Sequence, residues 1–126
     1  MSILYDAGVL VAAERGDREI WADHRTRLEI GVVPWTTSPV LAQVSRSPRQ
    51  TQLRRFVRGC NVAAFAPEQA HTVGALLGRA ETADVVDAHV IVTAASRSAT
   101  VLTSDSGDLQ RLSLRLPTPV AVRPIR

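Results

Sequence analysis

The chain alternates short apolar runs with longer stretches in which apolar residues recur every three or four positions. Ser2-Ile3-Leu4-Tyr5 reads as a buried strand ending at Asp6-Ala7-Gly8, and 9–13 continue as a helix interrupted near Gly16. Ile20, His24 and Leu28 stack at i, i+4 and i+8 on a second helix, with Gly31 as its stop. Residues 32–37 predict a second strand, Pro34 being tolerable only near its start or at an edge. Ser38-Pro39 then reads as N-cap and first helical residue of a helix that turns Val40, Leu41 and Val44 inward. Ser47-Pro48 repeats the signal for a helix through Leu53, Phe56 and Val57 to Gly59. A third strand is expected over 61–65, a helix from Pro67 through Val73 and Leu77 to about Gly78, and an apolar helix over 82–95. The fourth strand is 100–103, followed by a short helix at 109–112 and a weak fifth strand at 119–122. Strands alternating with helices imply one α/β domain over 1–126, with a central parallel sheet of four to five strands and helices on both faces.

Composition narrows this picture. The 126 residues are 45% hydrophobic and only 4% aromatic, so the core is built from Val, Leu, Ile and Ala, as suits a parallel sheet covered by helices. The single cysteine, Cys60, permits no intramolecular disulfide and reads as an inert core thiol. No charged segment leads into an apolar leader, and no uncharged run is long enough for a membrane, so a soluble, cytoplasmic protein is expected. The formal charge is +3, and every basic residue is arginine. The absence of lysine excludes a P-loop, a Schiff base and the lysine of a phosphoacceptor receiver domain.

The carboxylates carry the chemistry. Asp84 and Asp87 sit three apart at the start of the apolar helix, where buried charge is costly unless it is paired or binds a cation. Asp6 follows the first strand and Asp105 the fourth, and a parallel sheet delivers both to its carboxyl edge, where open α/β folds place their sites. With Asp108, five acids can converge there. An all-oxygen cluster suits Mg²⁺ or Mn²⁺, and such a centre serves metal-assisted phosphodiester hydrolysis. Each acid also has a plainer use: Asp84 as complement to the helix dipole, Asp6 as a helix N-cap, Asp105 and Asp108 as turn formers. Their conjunction is what points to a site. A phosphatase of the haloacid-dehalogenase type would need an acid two residues after Asp6, where Gly8 stands.

Three stretches, Leu4-Tyr5-Asp6-Ala7-Gly8-Val9-Leu10, Asp84-Val85-Val86-Asp87-Ala88-His89-Val90-Ile91 and Val101-Leu102-Thr103-Ser104-Asp105-Ser106-Gly107-Asp108-Leu109, resemble the main motifs of PIN domains. Within these the chain looks most like the VapC-type toxins of bacterial toxin–antitoxin modules. The resemblance implies a Mg²⁺- or Mn²⁺-dependent endoribonuclease, usually a homodimer, held inactive by a cognate antitoxin. It places Asp6, Asp87 and Asp105 as catalytic and metal-binding acids, Asp84 and Asp108 as accessory acids, and Thr103 and Ser104 as supporting hydroxyls. The family usually carries a glutamate on the helix after the second strand, and Gln43 stands there. A neutral amide removes one negative charge, so the alternative implied is a catalytically weakened module that binds RNA or an antitoxin.

From Glu29 to Glu68 there is no intervening acid, while Arg46, Arg49, Arg54, Arg55 and Arg58 fall in that interval. Arginine forks suit phosphate, and these five are the expected RNA contacts, the plainer use being a solvated face or an antitoxin-binding surface. His24, His71 and His89 lack metal-ligand spacing and are expected to be structural; Trp21 and Trp35 are expected to pack in the core or at a dimer contact. Val9, Leu10, Ile20 and Trp21 are further candidates for a partner surface.

Overall fold

The computed structural model describes residues 1–125. In chain order the elements are β1 (Ile3–Tyr5), α1 (Ala7–Glu14), α2 (Arg18–Glu29), β2 (Trp35–Thr37), α3 (Ser38–Val44), α4 (Thr51–Arg58) and β3 (Asn61–Ala63). After a 3-10 turn at Pro67–Gln69 come α5 (Ala70–Ala80), α6 (Val85–Arg97), β4 (Thr100–Thr103), α7 (Ser106–Ser113) and β5 (Val122–Pro124). The strands form one five-stranded sheet in the order β3-β2-β1-β4-β5, and every pairing is parallel. All three residues of β1 are buried, as a central parallel strand covered on both faces requires. The strand order reverses between β1 and β4, so the crevice for a ligand lies between their carboxyl ends.

The core joins Leu4 and Tyr5 of β1, Val9 and Leu10 of α1, Phe56 of α4, Leu76 of α5, Val90 and Ile91 of α6, and Leu109 and Leu112 of α7. Val9, Leu10 and Ile20 are therefore core residues and not a partner surface. Trp21 packs edge-on against Phe56, with ring centroids 5.1 Å apart, and its Nε1 donates to the Ala13 carbonyl at 2.9 Å. His24 is buried with Tyr5 Oη 2.9 Å from its Nδ1, and His89 is buried with Gln69 Oε1 3.0 Å from its Nε2, so both serve the packing of the core. His71 is exposed on α5. Burial pushes the Cys60 thiol up to about 12, which leaves it inert.

Several boundaries differ from the sequence expectation for identifiable reasons. The N-cap of α3 is Thr37, whose Oγ1 accepts from Val40 N at 3.1 Å, and Ser38 is already helical. Pro48 does not open α4; Gln50 folds back on the Arg46 and Ser47 amides at 2.7 and 3.1 Å, and the helix begins at Thr51. Its Leu53 amide is capped from another element, donating to Glu14 Oε2 of α1 at 2.6 Å. α5 runs past Gly78 and stops with Glu81 in the left-handed region at φ 54°. β5 pairs with β4 over Val122–Pro124, later than the expected 119–122.

Candidate active site at the β1–β4 crevice

Parallel strands carry Asp6 and Asp105 to the same sheet edge, because Tyr5 lies in register with Leu102 and the Asp6 amide donates to the Leu102 carbonyl at 3.0 Å. Asp6 occupies the N-cap position of α1, yet its side chain makes no capping bond. It is buried instead against Thr103, whose Oγ1 donates to Asp6 Oδ2 at 2.9 Å. The same hydroxyl accepts from the Asp105 amide at 3.1 Å, tying the carboxylate to the turn that leaves β4. Burial raises the Asp6 pKa, Ala7 and Thr103 hydrogen bonds lower it, and the charges of Asp84 and Asp105 raise it further.

Asp84 is the N-cap of α6, its Oδ1 accepting from Asp87 N at 3.0 Å. That bond uses only the Asp87 amide; the Asp87 carboxylate lies on the first turn, close enough to Asp84 for a side-chain hydrogen bond. Burial pushes Asp87 up to about 7, and the negative charges of Asp84, Asp6 and Asp108 add to the effect. Asp105 caps α7 through a long contact from Gly107 N at 3.4 Å, and Asp108 pairs with Arg111 at 3.2 Å on the exposed side of that helix. Asp84 and Asp105 thus perform the capping work a sequence alone would assign them. Asp6 and Asp87 do not; Asp87 feels the charge of Asp6, and Asp6 that of Asp84 and Asp105.

Gly8 is a site residue that its motif position did not explain. A Cβ there would collide with the Ser104 side chain and stand 3.0 Å from the Ser104 backbone nitrogen, so the bare helix start lets the β4–α7 turn close over α1. Gln43 is exposed on α3. The five expected RNA-binding arginines divide. Arg46 bonds the Ala42 and Ser45 carbonyls at the end of α3, at 3.1 and 2.8 Å. Arg54 and Arg58 rim a groove of about 590 Å³ between α3 and α4, floored by Leu41, Leu53 and Val57. Arg55 lies across α4, with its guanidinium carbon 5.7 Å from the Trp21 ring centroid. Arg49 is exposed on the turn before α4.

The donor set is oxygen only, which suits a hard divalent cation. Among the described residues no three acid, histidine or cysteine side chains form a ready-made ligand group. Mg²⁺ asks for less, since it keeps several waters and is held by one or two carboxylates with substrate phosphate supplying others. Asp6 and Asp87, two neighbouring carboxylates whose ionisation the fold disfavours, meet that requirement.

No protein-family model matches the chain. No curated protein matches it either. Solved structures do. It is similar to VapBC2 from Rickettsia felis bound to a DNA fragment from its promoter, with a TM-score of 0.72 and 17% identity over 100% of both chains. It is similar to a toxin–antitoxin complex from Klebsiella pneumoniae, with a TM-score of 0.66 and 19% identity over 85% of this chain and 89% of that one. FitAcB from Neisseria gonorrhoeae matches with a TM-score of 0.63 and 15% identity over 95% of each chain. The five-stranded parallel sheet and its surrounding helices therefore form a PIN-like fold, the fold shared with these toxin–antitoxin structures.

Proposed function

We propose that this chain is a metal-dependent endoribonuclease, a VapC-like toxin of a toxin–antitoxin module. The observation that carries the reading is the Asp6 carboxylate, released from capping, buried at the switch point of the sheet and set in the field of Asp84 and Asp105. Asp6 and Asp87 would hold Mg²⁺ or Mn²⁺, with Asp105 beside them. When bound, the ion supplies a water of lowered pKa and a positive charge against the phosphodiester oxygens.

The chain's own part begins with Thr103, which fixes Asp6 by donating one hydrogen bond to it. Asp87, on the first turn of α6, would orient the attacking water beside the ion, and the proton that this water loses passes to bulk solvent. A new P–O bond forms as the bond to the leaving oxygen breaks, and that oxygen takes a proton from solvent. Asp84 and Asp108 keep the crevice negative; Ser104, packed over Gly8, shapes its rim.

Partners follow from the same reading. The α3–α4 groove, with its aliphatic floor and arginine rim, suits an acidic amphipathic segment of an antitoxin. A homodimer and a cytoplasmic location belong to this proposal. Among the described residues no helix is long and apolar enough to cross a membrane.

Gln43 favours a second reading, a weakened module that binds RNA or antitoxin without efficient cleavage. One experiment separates the two: incubation of a pool of structured RNAs with wild type, Asp87→Asn and Gln43→Glu in Mg²⁺, Mn²⁺ and EDTA. Cuts by wild type that EDTA abolishes and that Asp87→Asn lowers at least about 100-fold establish the nuclease. Cuts by Gln43→Glu alone establish the weakened module; equal cutting by Asp87→Asn and wild type removes Asp87 from the mechanism.

A further inference from the structure

α2 sorts its side chains onto three faces. Ile20 and His24 turn towards the protein, Glu19, Asp23 and Arg27 follow one another at i, i+4 and i+8 on a second face, and Arg18, Trp21, Ala22 and Arg25 make a third. This third face meets Gln52 and Arg55 of α4, and together with Gly16 they line a depression of about 360 Å³. Three arginines therefore border one hollow, and no acid lines it. The guanidinium groups of Arg18, Arg25 and Arg55 thus face a hollow lined by no carboxylate.

The tryptophan in the hollow is fixed. Its Nε1 is held by the Ala13 carbonyl at 2.9 Å, and Phe56 meets its ring at 82°. An anchored indole with arginines around it is the combination that grips single-stranded nucleic acid, by phosphate neutralisation and by contact with a base or sugar. The α3–α4 groove is different in kind, with an aliphatic floor that suits a protein segment.

We propose that the α2–α4 furrow seats the phosphodiester backbone of a single-stranded RNA, with Arg18, Arg25 and Arg55 on phosphate and Trp21 against a base or ribose. The proposal rests on the ribonuclease reading above. α1 joins the two sites: it starts beside Asp6, and its eight residues, about 12 Å of helix, lead to the turn at Gly16 that borders the furrow. A strand cut at the acids would continue along α1 into the furrow, which extends the RNA path to Arg18 and Arg25 and turns Arg55 away from the α3–α4 groove.

The test is binding without cleavage. In EDTA, with Trp35→Phe to leave Trp21 as the sole tryptophan, a short single-stranded RNA is titrated against wild-type furrow and against Arg18→Gln/Arg25→Gln at several salt concentrations. Trp21 emission changes on RNA addition; the double variant binds about tenfold more weakly, with a salt slope smaller by about two, while Arg115→Gln matches the parent. Both substituted arginines are exposed, and thermal melts of the variants confirm the fold. RNA binding with unchanged affinity and slope in the double variant overturns the furrow and leaves the nuclease standing. No RNA binding by the parent overturns it too. Equal displacement of the RNA from Trp21 by polyglutamate, with no loss when salt is matched, assigns the hollow to an acidic peptide instead. The nuclease reading falls separately, through Asp87→Asn cutting in Mg²⁺.

Discussion

Thr103 shows how one hydroxyl can organise a site. Its Oγ1 bonds both the Asp6 carboxylate and the amide of Asp105, so it sets the position of one acid relative to the backbone that carries another. Thr103→Val keeps the shape and removes both bonds. Mg²⁺ affinity measured by calorimetry is expected to fall about 10- to 100-fold, with Thr103→Ser restoring most of it. Asp87 offers a stability signature. Its pKa is raised from 3.8 to about 7, so the folded state binds a proton that the unfolded state has released. Its contribution is most favourable below the ordinary carboxylate range and is lost as pH climbs to about 7. In EDTA, the melting temperature of Asp87→Asn relative to wild type is expected to rise across that interval and level off above it. His24 and His89 act oppositely: burial lowers both, so their contribution is lost as pH falls below about 6.5. A flat difference between Asp87→Asn and wild type across the interval would contradict the burial of that carboxylate. Glycine at position 8 is equally specific, and Gly8→Ala is expected to displace Ser104 and depress cleavage while sparing the sheet.

At the scale of elements, α4 depends on a neighbour for its start. Gln50 supplies no cap, and Glu14 at the end of α1 accepts from the Leu53 amide. Glu14→Ala is expected to cost about 1 kcal/mol in urea unfolding, the usual loss of a cap. Phe56→Ala, which empties the cluster formed with Tyr5, Trp21 and His24, is expected to cost about 3 to 5 kcal/mol. The same element explains where reading the sequence succeeds. The buried runs of β1 and β4, the periodicity of α2 and the apolar α6 were all legible because each is fixed by local pattern. The start of α4 was not, because Ser47-Pro48 mimics a helix opening while the cap comes from a residue 39 positions away. The site divides in the same way. Asp6, Asp87 and Asp105 were legible as acids at strand ends and a helix start; that Asp84 and Asp105 cap helices while Asp6 and Asp87 do not depends on side-chain geometry that spacing does not encode. The arginine cluster was legible as charge, but its split across α4, and the addition of Arg18 and Arg25, required the packing of α2 on α4.

For the whole molecule, the order β3-β2-β1-β4-β5 puts the earliest strand in the middle and a late one beside it. The bond between Thr103 and Asp6 closes a loop of 97 residues, and the β1–β4 pairing that supports it is equally non-local. Such pairing is slow to form. During synthesis, everything up to the end of α6 can leave the ribosome while Asp6 still lacks its hydroxyl partner and the acids lack their crevice. A fragment stopped before β4 carries Asp6, Asp84 and Asp87 and still has no assembled centre. The fold thus completes this crevice only once β4 and the segments after it have been made, so a chain still being translated carries the acids without the surroundings that bring them together.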